Sequence, residues 1–257
     1  MTSPIPSEPR TGRQLYHAFS LRAAVWTTVT GAFTIYAVQS ACVTLGMARI
    51  VAAIAGDVVA LAVVIAASRV AGLRLADLGL RRPAVRFVIA AVLIGCTAWY
   101  VNLQLVVWVK PPGETKTLEQ MVEQTALVPT IIGLGLLPAI VEEILFRGVL
   151  ARSLAVRFDP VIAIVGSAAV FGLYHVLPVQ MLSTFVLGLW LGVLTVRALS
   201  IVPAMLTHLI NNLIAIVVSR DEIPGLGSAI GAHPTVMTVG SVAAITCGLA
   251  LCVKGAS

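Results

Sequence analysis

The sequence has little charge and a large excess of apolar residues. Asp, Glu, Lys and Arg make up 11% of its 257 residues, whereas 59% are hydrophobic. A soluble domain of this length needs far more polar residues to cover its surface, so the excess apolar surface must face lipid. The net charge of +6 does not indicate a nucleic-acid partner, because the basic residues neither cluster with aromatic residues nor form a tail. We therefore expect an all-α, polytopic membrane protein whose main partner is the lipid bilayer.

Cysteine pairs with metal-ligand spacing and a signal peptide are also absent. The four cysteines stand singly within apolar segments, as small core hydrophobes do. Residues 1–20 contain three prolines and no apolar stretch, so we expect a polar N-terminal tail in the cytoplasm rather than a cleavable signal peptide. No internal repeat or low-complexity stretch divides the remainder, and we assign 21–257 to a single membrane domain.

Eight apolar segments approach the length needed to cross a bilayer, which is about 20 residues for about 30 Å of hydrocarbon. They predict a bundle of about eight transmembrane helices. The stretch 110–124 between the third and fourth segments has mixed charges and predicts a short surface helix. The eight segments are 23–45, 50–70, 87–107, 126–150, 160–177, 179–196, 201–218 and 235–253.

The distribution of Arg and Lys predicts the orientation. With the N-terminus in the cytoplasm, twelve basic residues outside the segment interiors fall on the cytoplasmic side and four on the opposite side, as the positive-inside rule requires. An even number of spans then places the C-terminus in the cytoplasm as well. The excess of Arg over Lys, 14 against 3, is typical of a GC-rich bacterial genome and predicts a bacterial plasma membrane. The four residues on the opposite side are Arg49, Lys110, Lys116 and Arg220.

The first group of ionisable residues inside an apolar segment is Glu142-Glu143-Ile-Leu-Phe-Arg147. Each such residue costs roughly 2.5–3.5 kcal/mol at mid-helix on insertion scales and needs a reason to be there. Glu143 and Arg147 are four positions apart, so they share a helix face and can neutralise each other. Glu142 points about 100° away and is free to face a cavity, where an unpaired carboxylate suits a general base. A structural ion cluster near the cytoplasmic interface is the alternative interpretation.

Two further polar groups follow on later segments. Phe171-Gly-Leu-Tyr-His175 places a histidine one turn after an aromatic residue, where it is either a hydrogen-bonded core residue or a catalyst. In His208-Leu-Ile-Asn-Asn212, His208 and Asn212 share a face and can donate hydrogen bonds into a common cavity, whereas Asn211 points elsewhere. The alternative for this group is a polar contact between helices.

Together the three groups supply a carboxylate base, an imidazole beside it and a pair of hydrogen-bond donors. These are the parts needed to activate water and to stabilise an oxyanion. No serine or cysteine is placed as a nucleophile and no HExxH motif occurs, so direct attack by water is the simplest mechanism. At 1.5 Å of rise per residue the groups lie at different distances from their helix ends, and helix tilt or staggered ends must bring them level.

The motifs EExxxR, FxxxH and HxxxN, in this order on successive helices, resemble those of the CPBP intramembrane proteases, the Abi or type II CAAX prenyl endopeptidase family. The resemblance covers roughly 75–219 and includes 75–83, LADLGLRRP, which looks like the short amphipathic segment before the family's core. It implies an intramembrane glutamic endopeptidase that needs no metal or other cofactor and acts on a peptide or membrane-protein substrate.

The resemblance also implies a role for each motif residue. Glu142 would be the general base for the water, and His175 would hold or polarise that water. His208 and Asn212 would form the oxyanion site. Three further residues match the motifs and are expected to support the site, namely Glu143, Arg147 and Phe171.

Three alternatives stay open on the sequence alone. Glu142, His175 and His208 are the residue types of a His₂Glu zinc set, which sensitivity to a chelator would reveal. Buried Glu, His and Asp57 could form the relay of an ion-coupled transporter, although neither inverted repeats nor broken helices are visible. A non-catalytic scaffold or immunity protein could keep the same fold. Asp57 otherwise predicts a structural polar contact that faces the bundle.

The expected site is an intramembrane cavity that faces the cytoplasm, in which Glu142 activates water for hydrolysis of a peptide bond. Type II CAAX endopeptidases remove the last three residues of prenylated proteins, and other members of the family are linked to bacteriocin maturation, immunity or membrane-protein processing. A bacterial origin favours a peptide or membrane-protein substrate over a prenylated one.

Overall fold

The described part of the chain is helical. The computed structural model describes residues 18–109 and 116–253, and no strand occurs within these ranges. The helices are α1 (Leu21–Thr44), α2 (Arg49–Val70), α3 (Val85–Val109), α4 (Lys116–Gln124), α5 (Leu127–Ala155), α6 (Pro160–Tyr174), α7 (Pro178–Ala198), α8 (Val202–Ser219), α9 (Leu226–Ala232) and α10 (Pro234–Val253). The all-α prediction is confirmed for these residues.

Several helix ends follow from local sequence. The Ser20 hydroxyl accepts a hydrogen bond from the amide of Ala23 at the start of α1, and the Asp159 carboxylate accepts one from the amide of Val161 at the start of α6. Such side chains satisfy amides that have no partner inside the helix. Proline occupies one of the first two positions of α6, α7, α8 and α10, where its missing N–H is not needed. α7 ends at Ala198, and the residue that follows it, Leu199, has a left-handed φ of 53°.

Each of the eight apolar segments lies on a helix, but the predicted number of about eight spans is not confirmed. Six helices are long and apolar enough to cross a membrane, namely α2, α3, α5, α7, α8 and α10. The first segment forms α1, which is 24 residues long but not among the six. The fifth forms α6, which has only 15 residues and would span about 22 Å. The protein is an integral membrane protein with six candidate spans among its described residues.

The helix α5 lies at the centre of the packing. It contacts α1, α2, α6, α7 and α8, while α3 packs against α7, α8 and α10 on one side of the bundle. All nine residues of Glu143–Ala151 in α5 are buried. The polar residues of this helix are therefore surrounded by protein, which is where ionisable groups in membrane segments are tolerated.

Two predictions concern stretches that are only partly described. A helix was expected within 110–124, and Lys116–Gln124 forms one, with Val122 buried and Glu123 exposed. Residues 110–115 lie outside the described part of the chain. Most of the predicted polar tail, 1–17, also lies outside it.

Candidate active site

The conformation of α5 departs from a regular α-helix on both sides of its acidic pair. Ile131–Leu136 and Glu143–Ala151 are π-helical, and the short α-helical segment Leu137–Glu142 joins them. Pro138 accounts for the first departure, because its ring clashes with the carbonyl four residues earlier and it has no N–H to donate there. A wider turn relieves that clash. π-helical segments inside α-helices occur frequently at functional sites, and Glu142 and Glu143 stand at the boundary of one.

Glu143 links the first and third motifs. Arg147 Nη1 donates to Glu143 Oε1 at 3.1 Å, which confirms the predicted pairing, and both side chains are fully buried. His208 Nδ1 donates to the same oxygen at 2.9 Å. Arg147 Nη2 also donates to the carbonyl oxygen of Gly188 at 3.3 Å. One carboxylate of α5 thus holds a guanidinium on its own helix and an imidazole on α8, as carboxylates do when they orient a histidine.

Glu142 has no comparable set of partners. Its side chain is only 8% exposed, and its Oε2 makes no hydrogen bond with any described residue. The nearest basic side chain is that of His208, whose Nε2 lies 3.9 Å from Glu142 Oε2. Because Nδ1 of the same ring donates to Glu143, this second nitrogen is directed towards Glu142. The predicted division into one paired and one free carboxylate is therefore seen in the structure.

The aromatic ring of Phe171 packs between the two histidines and the arginine. Its centroid lies 4.9 Å from that of His175 and 5.9 Å from that of His208, both in edge-on contacts. The guanidinium of Arg147 lies 4.3 Å above the ring. His175 Nδ1 is 2.9 Å from the carbonyl oxygen of Phe171, and since a carbonyl can only accept, this nitrogen carries the proton and Nε2 is the acceptor.

The asparagines of α8 make contacts that differ from those expected. Asn212 Nδ2 donates to the carbonyl oxygen of Leu134 at 3.2 Å. This carbonyl has no α-helical donor, because Pro138, four residues later, has no N–H. Asn211, which was expected to point elsewhere, donates to Asn212 Oδ1 and accepts from Asn102 of α3. The observed hydrogen bonds of the third motif thus go to protein groups, whereas donation into a common cavity was expected.

A cavity of about 210 Å³ adjoins the acidic pair. Glu142 and His175 line it, together with Asp57 of α2, and the sequence analysis had given Asp57 no catalytic role. The remaining lining residues come from α1, α2, α4, α5, α6 and α7: Tyr36, Gln39, Ala53, Met121, Gly133, Leu134, Pro138, Tyr174 and Gln180. His208 and Asn212 are not among them. The only sequence signal for Asp57 was its presence in an apolar run, where an ionisable side chain is energetically costly and therefore indicates a function.

The cavity lies at one end of the bundle, which we call the far end. Its lining includes the second half of α1, the first half of α2, Met121 of α4 and the connection between α6 and α7. The near end holds the connections α2–α3, α5–α6 and α7–α8, where Arg152 Nε donates to the carbonyl oxygen of Asp77 and Ser200 to that of Arg81. Since the basic residues concentrate at the near end, a cytoplasmic N-terminus puts the cavity on the opposite side. The two expectations, a cytoplasmic N-terminus and a cytoplasm-facing cavity, are therefore incompatible in this bundle, and the orientation stays a prediction.

The arrangement does not favour the zinc alternative. Among the residues that the structure describes, no three His, Cys, Asp or Glu side chains form a group that could hold a metal ion. Nδ1 of His175 donates to a carbonyl and Nδ1 of His208 donates to Glu143, so each histidine has only its Nε2 left as a ligand.

The three motifs thus meet in one region of the bundle, although their residues start at different depths in their helices. Glu142, Glu143, Arg147, Phe171 and His208 form one contact network, and His175 joins it through the ring of Phe171. Asn212 is attached to α5 at Leu134, one of the residues that line the cavity. The motif residues therefore lie close together, and their membership of a single site stays a prediction.

Comparison with known proteins gives one match. The model of the family described as "Type II CAAX prenyl endopeptidase Rce1-like" matches residues 124–214. No significant match was found to a curated protein or to a solved structure. The matched stretch contains the acidic pair, both histidines and the asparagine of the third motif. Residues 124–214, which carry every motif residue of the site, therefore match the Rce1-like family of type II CAAX prenyl endopeptidases, as the resemblance of the motifs predicted.

Proposed function

We propose that the protein is an intramembrane glutamic endopeptidase in which Glu142 activates a water molecule. The observation that carries the proposal is the Glu142 carboxylate, which is buried, lines a cavity and has an oxygen without a hydrogen-bond partner among the described residues. Burying such a group without a partner is unfavourable, so its retention needs a chemical reason. The family match supports a peptidase of the CAAX-protease type, and the glutamic mechanism is what the resemblance of the motifs implies.

The reaction needs a base for the water and hydrogen-bond donors for the oxyanion. Glu142 accepts a proton from water while the water oxygen bonds to the carbonyl carbon of the substrate, and the proton then passes to the leaving nitrogen as the C–N bond breaks. His175 Nε2 faces no other described partner and can accept a hydrogen bond from the same water. The negatively charged oxygen of the intermediate needs donors. We propose that His208 and the second N–H of the Asn212 amide fill that role.

Glu143, Arg147 and Phe171 position these groups. Glu143 holds Nδ1 of His208 and thereby directs Nε2 towards Glu142. Arg147 neutralises Glu143 and stacks on Phe171, whose ring and carbonyl hold His175. We propose that these three residues contact neither water nor substrate.

We further propose that the substrate is a peptide or a membrane protein that enters from the far end. A second cavity of about 410 Å³ lies there, is lined by 48–50 and by residues of α4, and shares Met121 with the first. With the N-terminus in the cytoplasm, this route opens on the side of the membrane away from the cytoplasm. A prenylated cytoplasmic protein does not fit that route.

The test is cleavage of a fluorogenic peptide library by the purified protein in detergent. Glu142→Gln keeps the size of the side chain and removes the base, so we expect kcat to fall by about 10²–10⁴, the contribution typical of a general base. Glu123→Gln removes an exposed carboxylate of α4 and is the matched control, with activity unchanged. Activity should be the same with and without a chelator.

The outcomes separate the competing functions. Activity abolished by the chelator would establish the zinc mechanism instead. Equal activity of wild type and Glu142→Gln, or no cleavage by well-folded wild type, would contradict the proposal and favour an ion-coupled transporter or a non-catalytic scaffold. Thermal unfolding of each variant shows whether a loss of activity reflects a loss of fold.

A further inference from the structure

Asp57 is a buried acid that the proposed mechanism does not use. It lies in the first half of α2, its side chain is 4% exposed, and it lines the same cavity as Glu142. It makes no hydrogen bond or ion pair with any described residue. The cavity thus contains a second carboxyl group whose partner is not supplied by the described part of the protein.

The lining of the cavity is rich in hydrogen-bond acceptors. No Lys or Arg is among the twelve described residues that line it. The hydroxyl of Tyr36 donates to the carbonyl oxygen of Tyr174, so only its lone pairs remain, and His175 presents Nε2 as an acceptor. The amides of Gln39 and Gln180 can accept as well as donate. A ligand that offers several donors and a positive charge would match this lining.

The charges of the buried site also favour a cationic ligand. Asp57, Glu142 and Glu143 supply three carboxyl groups, whereas Arg147 is the one guanidinium among the described residues of the site. Arg147 is already bound to Glu143. An unpaired buried carboxylate is unfavourable, and a cation in the cavity would pair with those that Arg147 does not reach.

We propose that the cavity binds a cationic side chain of the substrate, that of lysine or arginine next to the scissile bond, and that Asp57 is its main partner. The inference rests on the proposed function, because it assigns the substrate class of the same site. At about 210 Å³ the cavity is smaller than the roughly 300–1,000 Å³ of sites for drug-sized ligands, so it suits one side chain rather than a long lipid chain. A C-terminal carboxylate of the substrate would be repelled by Asp57 and Glu142.

The first experiment measures binding and does not depend on cleavage. The protein is unfolded thermally in detergent with N-acetyl-Ala-Lys-Ala-amide or with the same peptide carrying norleucine, which has the aliphatic chain without the charge. A ligand that binds the folded state raises the midpoint, and we expect a rise with the lysine peptide that is absent with the norleucine peptide.

Two substitutions at Asp57 and one elsewhere test the assignment. Asp57→Asn keeps the shape and removes the charge, so the rise with the lysine peptide should disappear. Asp57→Glu keeps the charge and should retain a preference for lysine, which guards against a general effect of substitution at this position. Asp159→Asn is the matched control, because it removes an exposed acid outside the cavity and asparagine caps α6 as well as aspartate does.

The second experiment measures cleavage of paired peptides with lysine or norleucine on either side of the scissile bond. In the wild type we expect kcat/KM to be at least about tenfold higher for lysine, equivalent to about 1.4 kcal/mol. In Asp57→Asn the ratio should fall towards one, because the lysine side chain loses its charged partner.

The possible results are distinct. No preference for lysine in either experiment, or a preference that Asp57→Asn leaves intact, overturns the inference while leaving the peptidase function standing. An equal loss of turnover for both peptides in Asp57→Asn also overturns it, since Asp57 would then act on Glu142. If no peptide is cut, the proposed function fails, and the binding preference is still decided by the thermal measurement.

Discussion

Replacing Arg147 by methionine should destabilise the protein strongly, because it leaves Glu143 buried with too few partners. Arg147 is fully buried, donates to Glu143 at 3.1 Å and to the carbonyl oxygen of Gly188 at 3.3 Å, and stacks on Phe171 at 4.3 Å. Methionine fills most of the volume but removes the charge and all the donors. Breaking a buried ion pair in this way costs about 3–5 kcal/mol, and we expect Arg147→Met to lower the free energy of unfolding by that amount.

The double variant Glu143→Gln with Arg147→Met is the decisive comparison. It removes both charges, so the second substitution relieves the defect created by the first. We expect its loss to be at least about 1 kcal/mol smaller than the sum of the two single losses, as for residues that interact directly. Unfolding can be followed by circular dichroism as SDS is added to mixed micelles. A cost below about 1 kcal/mol for Arg147→Met, or strict additivity in the double variant, would refute the reasoning.

Three further predictions concern packing, the surface helix and the orientation. Gly148→Ala should lower the melting temperature, because the added Cβ would lie 2.9 Å from the carbonyl oxygen of Leu78 in the α2–α3 connection. Such a clash costs about 1–3 kcal/mol. The control is Gly240→Ala, whose added Cβ would have no atom within 4 Å, and it should be neutral or stabilising. Arg220→Met should speed amide hydrogen exchange in α4 alone, because Arg220 donates to two carbonyls at the end of that helix, and unchanged exchange would contradict this. In a background without the four native cysteines, Met121→Cys should react with an impermeant maleimide added to intact cells and Arg157→Cys should not; the reverse pattern would refute the orientation.

The contacts that depend on short spacings could be predicted from the sequence. The pairing of Glu143 with Arg147 follows from their separation on one helix, and the structure contains it. The polar character of the third motif was also clear. What spacing could not supply was the partner of each group, since the bond from His208 to Glu143 spans 65 positions and depends on how α5 and α8 pack.

The cavity and the shape of α5 were not predictable by the same means. Helix positions were counted with 3.6 residues per turn, whereas Glu143–Ala151 is π-helical, a state that apolar periodicity does not reveal. Asp57 was noticed as an acid in an apolar run, but six helices have to be placed before it is seen to share a cavity with Glu142. Pro138 offered the one local signal, because a proline inside a helix frees a carbonyl that a neighbour must satisfy, and Asn212 is that neighbour.

The location of the ion pair on a single helix has a consequence for how the protein is made. During synthesis α5 reaches the membrane before α8 has emerged, so His208 cannot yet contact Glu143. Each isolated charge would resist partition from the translocation channel into lipid by roughly 2.5–3.5 kcal/mol. Because Glu143 and Arg147 are four residues apart on the same helix, they can neutralise each other before any later helix arrives. Of the three charged residues Glu142, Glu143 and Arg147, only Glu142 then has to be buried against helices that are already inserted.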